Sequence, residues 1–213
     1  MPDIEQARAW YPASDPVHGF DHILRVYHLA SRLAEQTGAD LEIVQAAALL
    51  HDAHAVDVHS QGEARAAHQQ LSAQFAAQVL REEGWPGERI AEVQHCIRAH
   101  RFRDESEQPQ TLEAEVLFDA DKLDAIGATG VARAIAYAAR QGNPFFIAPS
   151  QQFLEKGLKI AGERHSAYHE YLYKLSKLKA RLYTEPARGI AEERHRFQQA
   201  FFERLGAESS GEK

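Results

Sequence analysis

The sequence predicts an all-α fold, a single-domain helical bundle in which eight helices follow one another along the chain. Three features indicate this: apolar residues recur at spacings of three and four, residues that begin or end helices flank these stretches, and β-branched residues seldom alternate with polar ones. The predicted helices are 20–37, 40–51, 64–83, 87–100, 111–124, 129–141, 164–183 and 187–205. We expect one domain over 1–206 and a disordered tail over 207–213, which is rich in Glu, Ser and Gly.

The helix over 20–37 begins near His22 and ends at Gly38. Arg25 follows His22 by three residues, so the two side chains share a helix face. An imidazole and a permanently charged guanidinium would then project into the same cavity, unless Arg25 is an ordinary surface residue. The inward stripe of this helix consists of Ile23, Val26, Tyr27, Ala30, Leu33 and Ala34.

The helix over 40–51 is strongly apolar and ends in the pair His51-Asp52. A carboxylate at the end of a buried helix needs a partner. A divalent metal bound by both His51 and Asp52 would be that partner. The alternative interpretation of the pair is an aspartate that caps a helix beside a histidine of the core.

In the next helices, His100 and three aspartates stand among apolar residues. Ile90, Val93 and Ile97 precede His100 at helical spacing, so this imidazole should face inward, as a core histidine bonded to a carbonyl or as a functional group.

The helix over 111–124 starts at Thr111 and carries the three aspartates and a lysine. Asp121 is the best ligand candidate, Asp124 shares its face, Asp119 points elsewhere, and Lys122 points about a quarter turn away from Asp121. For Asp119 and Asp124 individually, the sequence favours a place at a helix end or behind the ligands over direct metal ligation.

Four of these side chains make a candidate metal centre: His22, His51, Asp52 and Asp121. Two imidazoles and two carboxylates offer only nitrogen and oxygen, which suits manganese as the first choice and magnesium, cobalt, nickel, iron or zinc as alternatives. Cys96 is the one cysteine, so a closed thiolate site is excluded. Such a metal keeps open positions for water and a reactant.

The last two predicted helices also bear charged side chains beside apolar stripes. In 164–183 the stripe is Tyr168, Tyr171, Leu175, Leu178 and Leu182, with Lys174 and Lys177 on its flanks. In 187–205 it is Ile190, Phe197, Phe201 and Leu205, interrupted by Arg194. Arg194 would pair with a carboxylate or with phosphate. The apolar loop 141–150 is a packed connection or, as the alternative, a lid.

With these motifs in view, the chain resembles the HD-domain superfamily of metal-dependent phosphohydrolases. The matching elements are His18-Gly-Phe-Asp-His22-Ile-Leu-Arg25-Val, Leu49-Leu-His51-Asp52, Ile97-Arg-Ala-His100 and Asp119-Ala-Asp121-Lys-Leu-Asp124-Ala-Ile-Gly127-Ala. More narrowly, Gly127-Ala-Thr-Gly130, Tyr168-His-Glu-Tyr-Leu-Tyr-Lys174 and Ala191-Glu-Glu-Arg194 resemble a small stand-alone bacterial subgroup. Some members of this subgroup resemble nucleoside triphosphate pyrophosphohydrolases. The resemblance makes His22, His51, Asp52 and Asp121 the metal ligands.

The resemblance implies that the protein hydrolyses a small phosphorylated metabolite. The first expectation is a (deoxy)nucleoside triphosphate, cleaved to the monophosphate and pyrophosphate. A metal-bound hydroxide would attack phosphorus, with Asp52 or Asp124 orienting the water and His100 protonating the leaving oxygen. The substrate-binding candidates are Arg25, Lys122, Lys174 and Arg194, and Lys174 is chosen by the resemblance alone.

Two departures from the superfamily bear on the substrate. The acidic pair that guanosine tetraphosphate hydrolases carry soon after the doublet is replaced here by Ala53-His54-Ala55-Val56, which disfavours that activity. Arg101-Phe102-Arg103 stands where many subgroup members have a serine after the histidine, which would add positive charge at the pocket rim.

Three alternatives stay open. The first is a nucleoside monophosphate phosphatase or another phosphomonoesterase or diesterase. The second is a di-iron oxygenase, for which further histidines are available, although their spacing is no clear match: His54, His59, His68, His95 and His100. The third is a nucleotide sensor without turnover, which ligand-raised melting without phosphate release would identify.

Composition limits the partners. The 213 residues are 44% hydrophobic and carry a formal net charge of −7, which opposes binding to nucleic-acid polymers and anionic membranes and favours a small-molecule ligand. The chain shows no basic-then-apolar leader and no run of membrane-spanning length, so cytoplasmic residence is expected. The sequence does not predict an oligomeric state.

Overall fold

A computed structural model describes residues 1–11, 19–53, 68–101 and 107–212. Every regular element within these ranges is a helix, which confirms the all-α fold class. Contacts between residues divide the chain into two compact units. Unit 1 comprises Met1–Asp121 and Tyr183–Ala187, and unit 2 comprises Lys122–Leu182 and Arg188–Lys213. The predicted single domain over 1–206 stays a prediction.

Unit 1 is built around a central apolar helix. Its helices are α1 (Ile4–Arg8), α2 (Phe20–Thr37), α3 (Leu41–Leu50), α4 (His68–Glu82), α5 (Gly87–Ala99) and most of α6 (Leu112–Asp124). Helix α3 packs against α2, α4 and α5, and α4 packs against α5. Seven of the ten residues of α3 are buried, because most of its sequence is apolar: Ile43, Val44, Ala46, Ala47, Ala48, Leu49 and Leu50.

The helix ends in unit 1 follow the signals in the sequence. Helix α2 ends at Gly38, which adopts the left-handed conformation with φ of 81°. The side chain of Asp40 caps α3 and also accepts a hydrogen bond of 2.9 Å from Arg89 Nη1, which lowers the pKa of this carboxyl. Thr111 Oγ1 accepts from the amide of Ala114 at 3.2 Å at the start of α6. These ends confirm the predicted bounds to within a residue or two.

Asp119 on α6 is fully buried and holds the segment before the last helix. It accepts hydrogen bonds from the amides of Tyr183 and Thr184 at 2.9 and 2.7 Å and from Thr184 Oγ1 at 2.7 Å. Burial raises the pKa of Asp119, and these donors act in the opposite direction. Asp119 therefore has a structural role, in agreement with its predicted direction away from Asp121.

Unit 2 contains α7 (Gly127–Arg140), α8 (Gln151–Lys156), α9 (Ala167–Tyr173), a 3-10 helix (Leu175–Arg181) and α10 (Glu185–Ser209) from Arg188 onward. The predicted continuous helix over 164–183 is wrong: the chain breaks at Lys174, where φ is −126° and ψ is −57°. The predicted stripe of Tyr171, Leu175, Leu178 and Leu182 is nevertheless buried. Helix α10 extends to Ser209, two residues beyond the point where the sequence predicts disorder to begin.

The predicted inward stripe of the last helix is also wrong. Phe197 is 51% exposed, and the buried positions of α10 are instead Ala187, Ala191, Gln198 and Phe202. Small alanines and a glutamine occupy the inner face, and Gln198 Nε2 donates to the carbonyl of Ala125 at 3.4 Å. A prediction from hydrophobicity alone therefore places the buried face of α10 about one residue away from its observed position.

The loop after α7 is tied down by backbone hydrogen bonds, which favours the packed connection over the lid. The amides of Ala167 and Tyr168 donate to the carbonyls of Pro144 and Phe145 at 3.2 and 3.1 Å. The rings of Phe146 and Tyr168 also lie 5.0 Å apart.

Glu163 fixes the end of this connection. Its carboxylate accepts from the amide and the hydroxyl of Ser150 at 2.8 and 2.7 Å, from the amide of Ile160 at 2.8 Å, and lies 3.1 Å from His169 Nε2. The Ser150 amide leads these contacts, and together they lower the pKa of Glu163 to about 2.

Candidate metal centre

Three of the four predicted metal ligands converge in unit 1. His22 lies in the first turn of α2, and His51 and Asp52 follow the last residue of α3. One ligand atom from each of these three residues lies within 4.8 Å of the other two. Asp121 on α6 joins the group through His22, with 3.5 Å between His22 Nε2 and Asp121 Oδ1. The structure thus brings together all four side chains.

The distances in this group fit a metal site better than a set of hydrogen bonds. His22 Nε2 to Asp121 Oδ1 is 3.5 Å and His51 Nε2 to Asp52 Oδ2 is 3.8 Å, beyond the usual hydrogen-bond range of about 2.7–3.2 Å. Metal bonds of about 2.1 Å place neighbouring ligand atoms roughly 3.0–3.4 Å apart. Closure by a few tenths of an ångström would give coordination geometry.

The imidazole of His51 is oriented as a metal ligand requires. Its Nδ1 lies 2.9 Å from the carbonyl oxygen of Ala48, an acceptor, so Nδ1 carries the proton and the lone pair of the neutral ring is on Nε2. His51 is fully buried, and its Nε2 has no hydrogen-bond partner among the residues that the structure describes. A buried nitrogen lone pair without a donor is explained by a bound cation. The residues present therefore fit a divalent metal.

Asp52 carries the negative charge that such a site needs. Burial acts to raise the pKa of this carboxyl, but the neighbouring His51, His68 and His100 hold it well below its ordinary value. Asp52 is therefore ionised at neutral pH. A deprotonated carboxylate is the form that binds a metal.

A second group of side chains meets the other oxygen of Asp52. Asp52 Oδ1 lies 3.5 Å from His68 Nε2 and 3.7 Å from His100 Nε2, and the ligand atoms of these three residues all lie within 4.8 Å of one another. His100 is buried at the end of α5, as its position after the apolar stripe predicts. Its Nδ1 faces the carbonyl of Ile97 in a short hydrogen bond, so its Nε2 is directed at Asp52.

Tyr11 supports the chain where the His51-Asp52 pair lies, a contact that the sequence does not reveal. Its buried hydroxyl donates to the carbonyl of Leu49 at 2.7 Å. Burial and, after it, the charge of Asp52 raise the pKa of this phenol, while a hydrogen bond from the backbone amide of Asp52 to the hydroxyl oxygen acts in the opposite direction. The ring of Tyr11 packs with Phe20, which begins α2, at 5.8 Å between centroids. Tyr11 thereby positions the backbone next to two of the ligands.

The other predicted site residues lie elsewhere on α2 and α5 or in unit 2. Arg25 is exposed on α2, one turn after His22. In unit 2, Asp124 is buried and accepts from Arg133 Nη1 at 2.8 Å, and Lys122 is buried. His95, considered for an oxygenase site, pairs with Glu107 at 2.9 Å. Predictions that name His18, His54, His59, Phe102 and Arg103 lie outside the described residues.

Lys174 and Arg194, the other two phosphate-binding candidates, both make contacts within unit 2. Lys174 Nζ lies 3.6 Å from Glu170 Oε1. Arg194 Nη1 donates to the carbonyl of Leu123 at 2.6 Å, near the C-terminal end of α6. These contacts agree with structural roles for both cations, and the phosphate-binding roles stay predictions.

The glycines of the Gly127-Ala-Thr-Gly130 motif allow close packing in unit 2. Gly127 has φ of +75°, and a Cβ atom there would lie 2.9 Å from Arg194 Cβ. A Cβ atom on Gly130 would lie 2.2 Å from the carbonyl oxygen of Ala125. Both positions therefore require glycine for steric reasons.

Comparison with known proteins identifies the family. The family model for the HD domain matches residues 19–126. The uncharacterized protein YpgQ of Bacillus subtilis (strain 168) is 34% identical over 218 residues, which cover 99% of this chain and 96% of YpgQ. The chain therefore belongs to the HD-domain family.

Solved structures agree with this assignment. The crystal structure of Bacillus subtilis YpgQ in complex with ADP has a TM-score of 0.71 and 32% identity, and the match covers 97% of each chain. A Bacillus thuringiensis protein described as an HD-superfamily hydrolase has a TM-score of 0.68 and 28% identity, with 97% of this chain and 96% of that chain covered. The fold is thus that of HD-superfamily hydrolases.

Among the described residues, helices that combine the length and the apolar character needed to span a bilayer are absent.

Proposed function

We propose that the protein is a metal-dependent phosphohydrolase that acts on a nucleotide. The observation that carries this proposal is the buried Nε2 of His51, which is directed at a cluster of ligand atoms and has no hydrogen-bond partner among the described residues. Membership of the HD-domain family supports it. The proposed ligands are His22, His51, Asp52 and Asp121.

A divalent cation held by these ligands would lower the pKa of a water molecule to near neutrality and polarise a phosphoryl oxygen. The protein's own contribution is to fix the ligands before a substrate arrives. The carbonyl of Ala48 fixes the ring of the ligand His51, and the carbonyl of Ile97 fixes the ring of the neighbouring His100. The four ligands carry two negative charges, so they balance one divalent cation without surplus charge.

The nucleotide is the proposed substrate because a relative that matches nearly the whole chain was crystallised with ADP. In unit 1, Arg25 follows the proposed ligand His22 by three residues, and Arg101 directly follows His100. Arg101 Nη1 donates to Gln69 Oε1 at 3.2 Å, next to His68. We propose that these guanidiniums bind phosphate oxygens, since a planar fork matches phosphate geometry. Lys122, Lys174 and Arg194 remain further candidates.

The proposed cleavage is between the α and β phosphates of a nucleoside triphosphate, which releases the monophosphate and pyrophosphate. The test is a panel of nucleoside mono-, di- and triphosphates incubated with the purified chain and manganese, magnesium, cobalt, nickel or iron. Products separated by charge should include pyrophosphate from the triphosphates. Orthophosphate from a monophosphate would indicate a nucleotidase, and oxygen consumption with iron but no phosphate release would overturn the proposal.

A matched pair of histidine variants separates the metal centre from general damage. His51→Ala should abolish both metal content and hydrolysis, because it removes a buried ligand. His28→Ala changes an exposed residue on α2 and should retain both properties. Full activity in His51→Ala would contradict the proposed site.

A further inference from the structure

We infer that Gln69 is a positioning residue, which holds the guanidinium of Arg101 in place for the phosphate groups of the substrate. The contact that carries this role is the hydrogen bond of 3.2 Å from Arg101 Nη1 to Gln69 Oε1. Because Arg101 is one of the two guanidiniums proposed to bind phosphate, the role of Gln69 rests on the proposed function. Gln69 itself is not proposed to contact the substrate.

Gln69 is a buried polar residue in the first turn of α4, where only 3% of it is exposed. The other buried residues of this helix are small or apolar: Ser72, Ala73, Ala76, Ala77 and Leu80. A buried amide requires hydrogen-bond partners, since its removal from water otherwise costs stability. Arginine offers only donors, so the atom of Gln69 that faces Arg101 Nη1 is the amide oxygen. Burial therefore fixes an acceptor beside the guanidinium.

The contact between Gln69 and Arg101 lies beside the proposed metal centre. Gln69 directly follows His68 at the start of α4, and Arg101 directly follows His100 at the end of α5. The Nε2 atoms of these two histidines lie 3.5 and 3.7 Å from Asp52 Oδ1. Asp52 is a proposed metal ligand. Each partner in the contact is thus one residue away from a side chain that faces this ligand.

Packing of α4 against α5 keeps the two partners together. Gln94 Nε2 on α5 donates to the carbonyl of Ala73 on α4 at 3.0 Å, which joins the two helices through a second contact. A guanidinium that is already held before a ligand arrives loses less conformational freedom when it binds. The amide of Gln69 is neutral, so this contact orients the guanidinium of Arg101 without cancelling its positive charge.

A purely structural role for the contact would be to join α4 to the residue after α5. The two roles predict different behaviour when both residues are changed. If Gln69 acts through Arg101, its loss weakens nucleotide binding only while Arg101 is present. If Gln69 only joins the helices, its loss has the same effect with or without the Arg101 guanidinium.

The test is a double-mutant cycle of Gln69→Met and Arg101→Ala. Methionine keeps the length of the glutamine side chain and removes the acceptor. Steady-state kinetics are measured at saturating Mn(II) on the nucleotide that the wild type hydrolyses fastest. Gln70→Met is the matched control, because Gln70 is the next residue of α4 and is exposed. Manganese content and urea unfolding of each variant report the metal centre and the folded state separately.

We expect KM to rise about tenfold in Gln69→Met, the low end of what a hydrogen bond to a charged group contributes, with little change in kcat. Arg101→Ala should raise KM at least as much, and the double variant should match Arg101→Ala. Gln70→Met should retain the wild-type KM.

An unchanged KM in Gln69→Met, or an equal effect of Gln69→Met with and without Arg101, would overturn the positioning role while leaving hydrolysis and the metal centre intact. An unchanged KM in Arg101→Ala would overturn it even if Gln69→Met fails to fold. A wild type that hydrolyses no nucleotide would overturn the proposed function and the role of Gln69 with it.

Discussion

Replacing Tyr11 by Phe removes a hydroxyl group that contacts the backbone next to His51 and Asp52. The hydroxyl is buried and donates to the carbonyl of Leu49 at 2.7 Å, and its own oxygen accepts from the backbone amide of Asp52. In a continuing α-helix, the amide of Ala53 would donate to the carbonyl of Leu49, four residues earlier. Here it donates instead to the carbonyl of Leu50, at 3.2 Å.

A buried carbonyl left without its donor costs about 1–3 kcal/mol. We therefore expect Tyr11→Phe to lower the free energy of unfolding by that amount. Because the affected backbone also positions two metal ligands, we expect Mn(II) affinity to fall by about tenfold, the lower end of the effect of groups that support metal ligands.

The assay is urea unfolding of the metal-free chain together with calorimetric titration by Mn(II). Tyr27→Phe is the matched control, because Tyr27 packs against the same apolar cluster from α2. Equal stability and equal manganese affinity in the two variants would refute the positioning role of Tyr11.

Three further predictions follow from unit 2. Gly130→Ala should destabilise the chain by about 2–4 kcal/mol, because its Cβ would lie 2.2 Å from the carbonyl oxygen of Ala125. Gly189→Ala, where the structure shows nothing within 4 Å of the new Cβ, should instead stabilise α10 by up to about 1 kcal/mol; thermal unfolding that shifts both variants in the same direction would refute this contrast. Since the pKa of Glu163 lies at about 2, below its ordinary 4.5, its contribution to stability is present above pH 4.5 and is lost as the pH falls through about 2. Glu163→Gln should therefore be less stable at neutral pH and show a weaker loss over that window in chemical unfolding, whereas Glu155→Gln, at an exposed site, should follow the wild type.

Helix bounds were predictable where local signals are strong. Asp40 and Thr111 cap helices through their own side chains, and Gly38 ends α2 in the left-handed conformation. These effects act within a few residues, so a single sequence contains them. Ser150 and Gly157 give the same signals around the short helix α8, which lies outside the eight helices that the sequence predicts.

The remaining errors arise from long-range packing. The inner face of α10 contains Gln198, whose amide bonds to Ala125, more than seventy residues away in the chain. The break at Lys174 leaves the stripe of buried residues intact, so periodicity does not reveal it. The buried face of α10 and the helix break at Lys174 are therefore set by tertiary contacts, which the local sequence does not reveal.

The candidate metal ligands were predictable because histidines and aspartates stand at the ends of apolar helices, where a charge requires a partner. The role of Tyr11 was not, since its partner is a backbone carbonyl 38 residues away, which leaves no trace in residue type. His68 is one of several histidines that follow the doublet in the sequence, and the packing of α4 against α5 distinguishes it from the others.

Anomalous diffraction from crystals grown with Mn(II) tests the central claim most directly. It locates manganese independently of any activity. The account predicts a strong anomalous peak within about 2.0–2.3 Å of His22 Nε2, His51 Nε2 and carboxylate oxygens of Asp52 and Asp121. Manganese bound elsewhere on the chain, with these four side chains out of reach of any common peak, would contradict it.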